Sequence, residues 1–315
     1  METRVLGRSG LPVSRIGLGL AALGRPGYIN LGHGEDLAGR IDVAGMEENA
    51  HRVLDAAYEQ GVRYFDAARS YGKAEQFLAS WLGKREIDPE DVTVGSKWGY
   101  TYTAGWRVDA EQHEVKDLSV GTLRRQLSES RALLGEHLDL YQIHSATLES
   151  GVLDDDEVAA ELDRLRADGL GIGLSVTGPR QAETIERAVE LGRFDTVQAT
   201  WNLLERSAGP ALEHVRRTGM GVIVKEALAN GRLTERGDVA RVQAEARRRS
   251  TSPDAVALAA CIAEPWADVV LSGAATVEQV VSNLAASELS YNGELDDLAE
   301  ERESYWARRA TLPWN

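Results

Sequence analysis

Lys97 closes the β-prone run Val92-Thr93-Val94-Gly95-Ser96, Asp66 closes Val62-Arg63-Tyr64-Phe65, and His144 closes Leu138-Asp139-Leu140-Tyr141-Gln142-Ile143. Tyr71 follows Asp66 by five residues. A lysine, a carboxylate, a phenol and an imidazole gathered at one end of a sheet suit acid catalysis on a carbonyl. A free phenol titrates near ~10 and releases its proton reluctantly at neutral pH, and a neighbouring cation eases that release. Each residue also has a plainer role: Tyr71 could pack in the turn Ser70-Tyr71-Gly72, and Asp66 could cap the helix that follows. Lys97 is harder to set aside, because a lysine at the inner end of a strand must find a partner or water.

The elements that would position these groups alternate along the chain. Strands are expected near residues 16–20, 62–66, 92–96, 138–143, 171–175, 195–200, 221–225 and 268–272. Helical spacing follows at 46–60, 74–82, 121–134, 155–167, 180–191, 210–218 and 276–286. Alternation of this kind predicts parallel strands with crossover helices, and eight units let the sheet close into a (β/α)8 TIM barrel. Gly61, Gly169 and Gly219 each stand between a helix and a strand, where a left-handed turn is usual. Thr276 with Gln279 three residues on reads as a capping start. Ahead of the first strand, Val5-Leu6 and Val13-Ser14 flank Ser9-Gly10 as a hairpin that could plug the barrel base. Residues 24–45 and 98–116 lack helical period and are read as long loops rising from the catalytic face. No linker divides the chain, so residues 1–315 are expected to form one domain.

Bulk properties exclude several classes. A 315-residue chain with 43% hydrophobic residues has material for a full core, and no run approaches the ~20 apolar residues of a membrane span. The start Met1-Glu2-Thr3-Arg4-Val5 lacks the pattern of a signal peptide, which makes the cytoplasm the expected location. A net charge of −15 argues against nucleic acid and anionic lipid as partners. Cys261 is the only cysteine and lies in an apolar helical stretch, so no intrachain disulfide is available. The six histidines fall in no metal-ligand spacing.

The tract Arg63-Tyr64-Phe65-Asp66-Ala67-Ala68-Arg69-Ser70-Tyr71-Gly72, with Gly95-Ser96-Lys97 and Asp139-Leu140-Tyr141-Gln142-Ile143-His144, resembles the aldo-keto reductase superfamily. The resemblance covers nearly the whole chain. It implies a catalytic tetrad of Asp66, Tyr71, Lys97 and His144, in which Lys97 lowers the Tyr71 phenol, Asp66 holds Lys97, and His144 orients the carbonyl. It also implies hydride transfer between a nicotinamide cofactor and an aldehyde, ketone or sugar carbonyl, or the reverse oxidation of an alcohol.

No Rossmann glycine fingerprint is present, which fits a family that lays its cofactor across the barrel mouth. The resemblance implies cofactor contacts from Gly19 and Leu20 after the first strand, and from Ser175 and Gln198 at the carboxamide. Lys225, Glu226 and Leu228 follow the seventh strand, and Gly273, Gln279 and Asn283 stand near the adenosine. Two departures stand out. Val176 occupies a usual asparagine position, with Thr177 as a substitute, and Lys225 stands where a ring-stacking aromatic is common, which leaves the lysine stem or Trp201 to cover the ring. NADP(H) is the expected cofactor and NAD(H) the alternative, since Gly273, Ala275 and Gln279 replace the usual phosphate-binding cations. Trp98, Tyr100, Tyr102, Trp106, Trp306 and Trp314 are candidate walls of the substrate pocket. The competing readings are a regulatory nucleotide-binding subunit on the same barrel, and a Schiff-base enzyme using Lys97.

Overall fold

Eight parallel strands close on themselves, each hydrogen-bonded to the next in chain order. The computed structural model describes residues 1–315. An N-terminal hairpin of β1 (Thr3–Val5) and β2 (Pro12–Ser14) precedes the first three barrel strands, β3 (Ile16–Gly19), β4 (Tyr64–Asp66) and β5 (Thr93–Trp98). A second hairpin, β6 (Tyr100–Tyr102) with β7 (Glu114–Lys116), rises from the end of β5. The barrel then continues through β8 (Leu138–Ala146), β9 (Gly171–Val176), β10 (Thr196–Thr200), β11 (Gly221–Lys225) and β12 (Val269–Ser272), and β12 pairs with β3 to complete the ring.

All eight expected strands form. The seven expected helices form as well, with ends displaced by up to about three residues; the first begins at Val43, where the Asp42 side chain accepts from the Gly45 N–H at 2.9 Å. Gly61, Gly169 and Gly219 have φ near 90°, 93° and 82°, as helix-ending turns require. The apolar stretch around Cys261 forms helix Pro253–Ala263, while helices Ala240–Arg249 and Arg302–Ala310 fall outside the seven expected. Helix Ala240–Arg249 buries only Val242 and Ala246, too few apolar positions to stand out in an arginine-rich segment, and helix Pro253–Ala263 is apolar on nearly every side. The loop at 24–45 contains the short helix His33–Leu37, and the loop at 98–116 is organised by the β6–β7 hairpin.

The N-terminal hairpin plugs the barrel base. Leu6 and Val13 pack inside against Tyr64, Leu140, Ile223, Val269 and Leu271, while Arg8 donates from its backbone N–H to Gly219 O and from Nε to Phe194 O. Full burial of a side chain such as Leu6 stabilises by about 2 kcal/mol relative to exposure. Above this plug the inward row carries the chemistry, because successive side chains of a strand face opposite ways. Tyr64 and Asp66 point inward while Phe65 packs outward on Trp81. Small residues admit the Tyr64 ring: a Cβ on Gly95 would stand 2.6 Å from its hydroxyl, and one on Gly17 2.7 Å from its ring.

Candidate active site

Asp66 is the hub of the inward row. Its Oδ1 pairs with Lys97 Nζ at close range, and its Oδ2 accepts from Gln198 Nε2 at 2.8 Å, Tyr64 Oη at 3.2 Å and Gln142 Nε2 at 3.4 Å. Lys97 also donates to Ala67 O at 2.9 Å, and its side chain is fully buried. Asp66 therefore holds the lysine and caps no helix. These partners come from four strands, so closing the barrel is what assembles the pair.

Tyr71 enters from the turn after β4. Its N–H donates to Ala68 O, and the neighbouring Lys73 N–H donates to Gly24 O at 2.7 Å. Arg25 Nη1 donates to Ser70 O at 2.9 Å, so the loop after β3 locks the turn in place. The phenol ring lies with Lys97 Nζ 5.0 Å and Arg25 Cζ 5.3 Å from its centroid. It meets the His144 ring edge-on at 5.5 Å, and Tyr100 meets the same imidazole at 5.0 Å. His144 reaches this place through a β-bulge: the β8–β9 register shifts after Ile143, Ser145 adopts a φ of 55°, and the Ser145 N–H donates to Ser175 Oγ at 2.8 Å.

Burial dominates the electrostatics of the site. Burial pushes the Tyr71 phenol up, the Asp66 carboxylate pushes it further, and Arg25 works in the opposite direction. Lys97 stands under the ring but is in contact with the Asp66 carboxylate, which pulls the other way. Tyr71 thus keeps its proton throughout the neutral range. His144 is driven well below the ordinary histidine value by burial and then by Lys97, Lys225, Arg25 and Lys116, which leaves a neutral imidazole facing the cleft. The unfolded chain binds that proton near ~6.5 and the folded chain does not, so the stability linked to His144 falls as pH drops below that value. The fall in urea midpoint between pH 7 and pH 5 should be smaller in His144→Gln than in the parent; an equal fall would contradict the neutral assignment.

A cleft of about 630 Å³ opens above the tetrad and runs to the end of β12. Gly19, Gln198, Lys225, Glu226, Leu228, Gly273, Gln279 and Asn283 line it, but Leu20 and Ser175 do not. Leu20 is buried in the core, and Ser175 lies beneath Ser145. Val176 turns outward into the core, as its position next to inward Ser175 requires, and Thr177 lines the cleft. Trp98 is turned away for the same reason, being the neighbour of inward Lys97. Trp201 packs on Trp266 at 5.4 Å, so it is a core residue and offers no ring to the cleft. Trp106 donates to Ile41 O, and Trp306 packs on Tyr305. Of the six candidate aromatic walls, Tyr100 and Trp314 line the cleft.

Lys225 donates to Thr200 Oγ1 at 2.8 Å, and burial brings its ammonium down to about 8 against the pull of Glu226. Burial works to raise the Glu226 carboxyl, but Arg309 and Lys225 prevail and hold it at about 2. Arg309 belongs to helix Arg302–Ala310 and grips Glu226 with both Nε and Nη2. Arg25, Tyr28, Glu114 and Arg309 also line the cleft and were not singled out from the sequence. They arrive from the loop after β3, the β6–β7 hairpin and the C-terminal helix, and no local motif connects these segments. The tail completes the wall: Asn315 exchanges backbone hydrogen bonds with Tyr28, and Trp314 stacks on His113 at 4.1 Å.

The far end of the cleft has the features of a dinucleotide cradle. A Cβ on Gly273 would meet nothing within 4 Å, and one on Gly19 only Ser272 O at 3.6 Å, so backbone lies open there. Asn283 is buried, donates to Ser272 Oγ at 2.8 Å, and keeps an unpartnered Oδ1. Thr276 caps helix Val277–Leu284 by accepting from the Gln279 N–H, while Gln279 Oε1 accepts from Ala275 N–H. These residues fit a nicotinamide dinucleotide.

The aldo/keto reductase family profile matches residues 15–296. L-galactose dehydrogenase of Arabidopsis thaliana is 26% identical over 100% of this chain and 97% of its own length. An uncharacterized oxidoreductase of Bacillus subtilis, YrpG, is 27% identical over 94% of each chain. The structure of an aldo-keto reductase from Bacillus halodurans superposes with a TM-score of 0.73 at 22% identity, over 96% of this chain and 97% of that one, a likeness of fold. With the closed barrel and the family profile in agreement, the chain belongs to the aldo/keto reductase family and is an NAD(P)H-dependent oxidoreductase.

Proposed function

We propose that this chain moves a hydride between a nicotinamide dinucleotide and the carbonyl carbon of an aldehyde, ketone or sugar, with Tyr71 as the proton donor, or as the acceptor in alcohol oxidation. The observation that carries this reading is the convergence of Tyr71 and His144 over the buried Lys97–Asp66 pair, at one end of the cleft. The bound dinucleotide supplies the hydride. A carbonyl oxygen turned toward Tyr71 and His144 becomes alkoxide-like as hydride arrives. An alkoxide is a far stronger base than a phenolate, so even a phenol with a raised pKa protonates it. His144, neutral, has an N–H to direct at the same oxygen, while Lys97 holds positive charge below. Arg25, anchored on Glu114 and flanked by Tyr28, Tyr71 and Trp314, gives the wall both ring faces and charged forks. Such a wall suits a hydroxylated carbonyl, and L-galactose dehydrogenase among the relatives points the same way.

Turnover is tested by titrating the protein with NADH and NADPH, then following dinucleotide oxidation on a panel of aldehydes, ketones and aldoses. Saturable binding with reduction of at least one panel carbonyl is expected. Binding with no turnover across the panel would favour the regulatory-subunit reading. No helix is long and apolar enough to cross a membrane.

A further inference from the structure

The cleft has two ends, and hydride chemistry at Tyr71 places the nicotinamide at one of them. The adenosine then falls at the other, among Asn283, Gln279, Arg236 and Asp254. The unpartnered Oδ1 of buried Asn283 is an acceptor waiting for a donor such as the adenine amino group. From this arrangement, and resting on the hydride-transfer reading above, we infer that the far end is built for the unphosphorylated ribose of NAD(H), with Asp254 and the Asp36–Arg236 pair as its specificity-determining residues.

A 2′-phosphate carries about −1.5 to −2 charges and needs free cations or donors. Arg236 is the cation lining this end, and its guanidinium is committed elsewhere. Nη2 pairs with Asp36 Oδ1 at 2.7 Å, Nη1 donates to Gly32 O at 3.2 Å, and Nε stands 3.7 Å from Glu35. Asp36 is itself nearly buried, and its Oδ2 accepts from Gln279 Nε2 at 2.8 Å. One carboxylate from the loop after β3 thus occupies both groups that would otherwise meet a phosphate. Glu235 and Asp254 line the same end. Burial pushes the Asp254 carboxyl up to about 6, which still leaves it mostly ionised at pH 7. With Arg236 matched by Asp36, Glu235 and Asp254 leave the lining of this end net negative. A carboxylate there accepts a hydrogen bond from a 2′-hydroxyl and repels a phosphate, a discrimination also used in unrelated dinucleotide folds. The preference runs opposite to the NADP(H) expected from the sequence.

The test is quenching of tryptophan fluorescence by NADH and NADPH titrated separately into the full chain. NADH should bind at least about tenfold more tightly, a difference of about 1.4 kcal/mol. Asp36→Asn keeps the side-chain shape and releases Arg236, so NADPH should tighten several-fold with NADH little changed; Asp254→Asn should narrow the ratio too. Thermal melts run alongside identify a variant that fails to fold, in which case the parent's ratio decides. NADPH binding equal to or tighter than NADH in the parent, or a ratio unmoved in both folded variants, overturns the inference and leaves hydride transfer standing. Failure of both dinucleotides to bind removes both.

Discussion

Replacing Tyr71 with phenylalanine should lower carbonyl reduction by about 10²- to 10⁴-fold, the usual contribution of a positioned proton donor. The substitution removes one oxygen and keeps the ring, which is held by Lys97 and Arg25 over its face and by the edge of His144. The turn carrying it is fixed by backbone hydrogen bonds to Ala68 and Gly24 that no side chain supplies. Folding and dinucleotide binding should therefore survive, and the loss should fall on kcat with little change in dinucleotide affinity. Steady-state reduction and a fluorescence titration on the same preparation separate the two effects. Near-parental reduction by Tyr71→Phe would remove the phenol from the mechanism, and His144 would then be the remaining donor candidate. Its neutral state at pH 7 makes that substitution a poor one, since a neutral imidazole is a weak acid.

The barrel and the convergence of Asp66, Lys97 and His144 were legible because both follow from strand periodicity. A strand puts every second side chain inward, so Asp66, Lys97 and His144 at the ends of successive strands announce a shared face. The same rule, applied strictly, excludes Trp98 and Val176, which sit beside inward residues. Other parts of the site leave no such trace. The bulge that redirects His144 contains no glycine, since Ser145 takes the positive φ itself. Arg25, Glu114 and Arg309 come from segments far apart in the chain, and their meeting depends on loop geometry that composition does not encode. The surroundings of Tyr71 were only partly legible for a related reason. A motif displays the lysine next to the tyrosine, but the burial and the Asp66 carboxylate that push the phenol up exist only in the fold.

Lys97→Met should cost about 3–5 kcal/mol of stability at pH 7, because it leaves the Asp66 carboxylate buried without its cation. Gln198, Tyr64 and Gln142 would still donate to Oδ2, but three neutral donors do not replace an ammonium in contact with Oδ1. A buried carboxylate without its cation favours taking up a proton. A carboxyl with a raised folded pKa is stabilised by protonation, so the penalty is smallest below the unfolded value and grows as pH rises through the folded one. The urea midpoint of Lys97→Met should accordingly lie closer to the parent's at pH 5 than at pH 7. Adding Asp66→Asn removes the stranded charge, so the double variant should be more stable at pH 7 than Lys97→Met alone. A pairwise coupling of this sign distinguishes an ion pair from simple loss of lysine packing, which the second substitution would not repair. Should the double variant prove no more stable than the single one, the pair would not be what holds Lys97 beneath Tyr71.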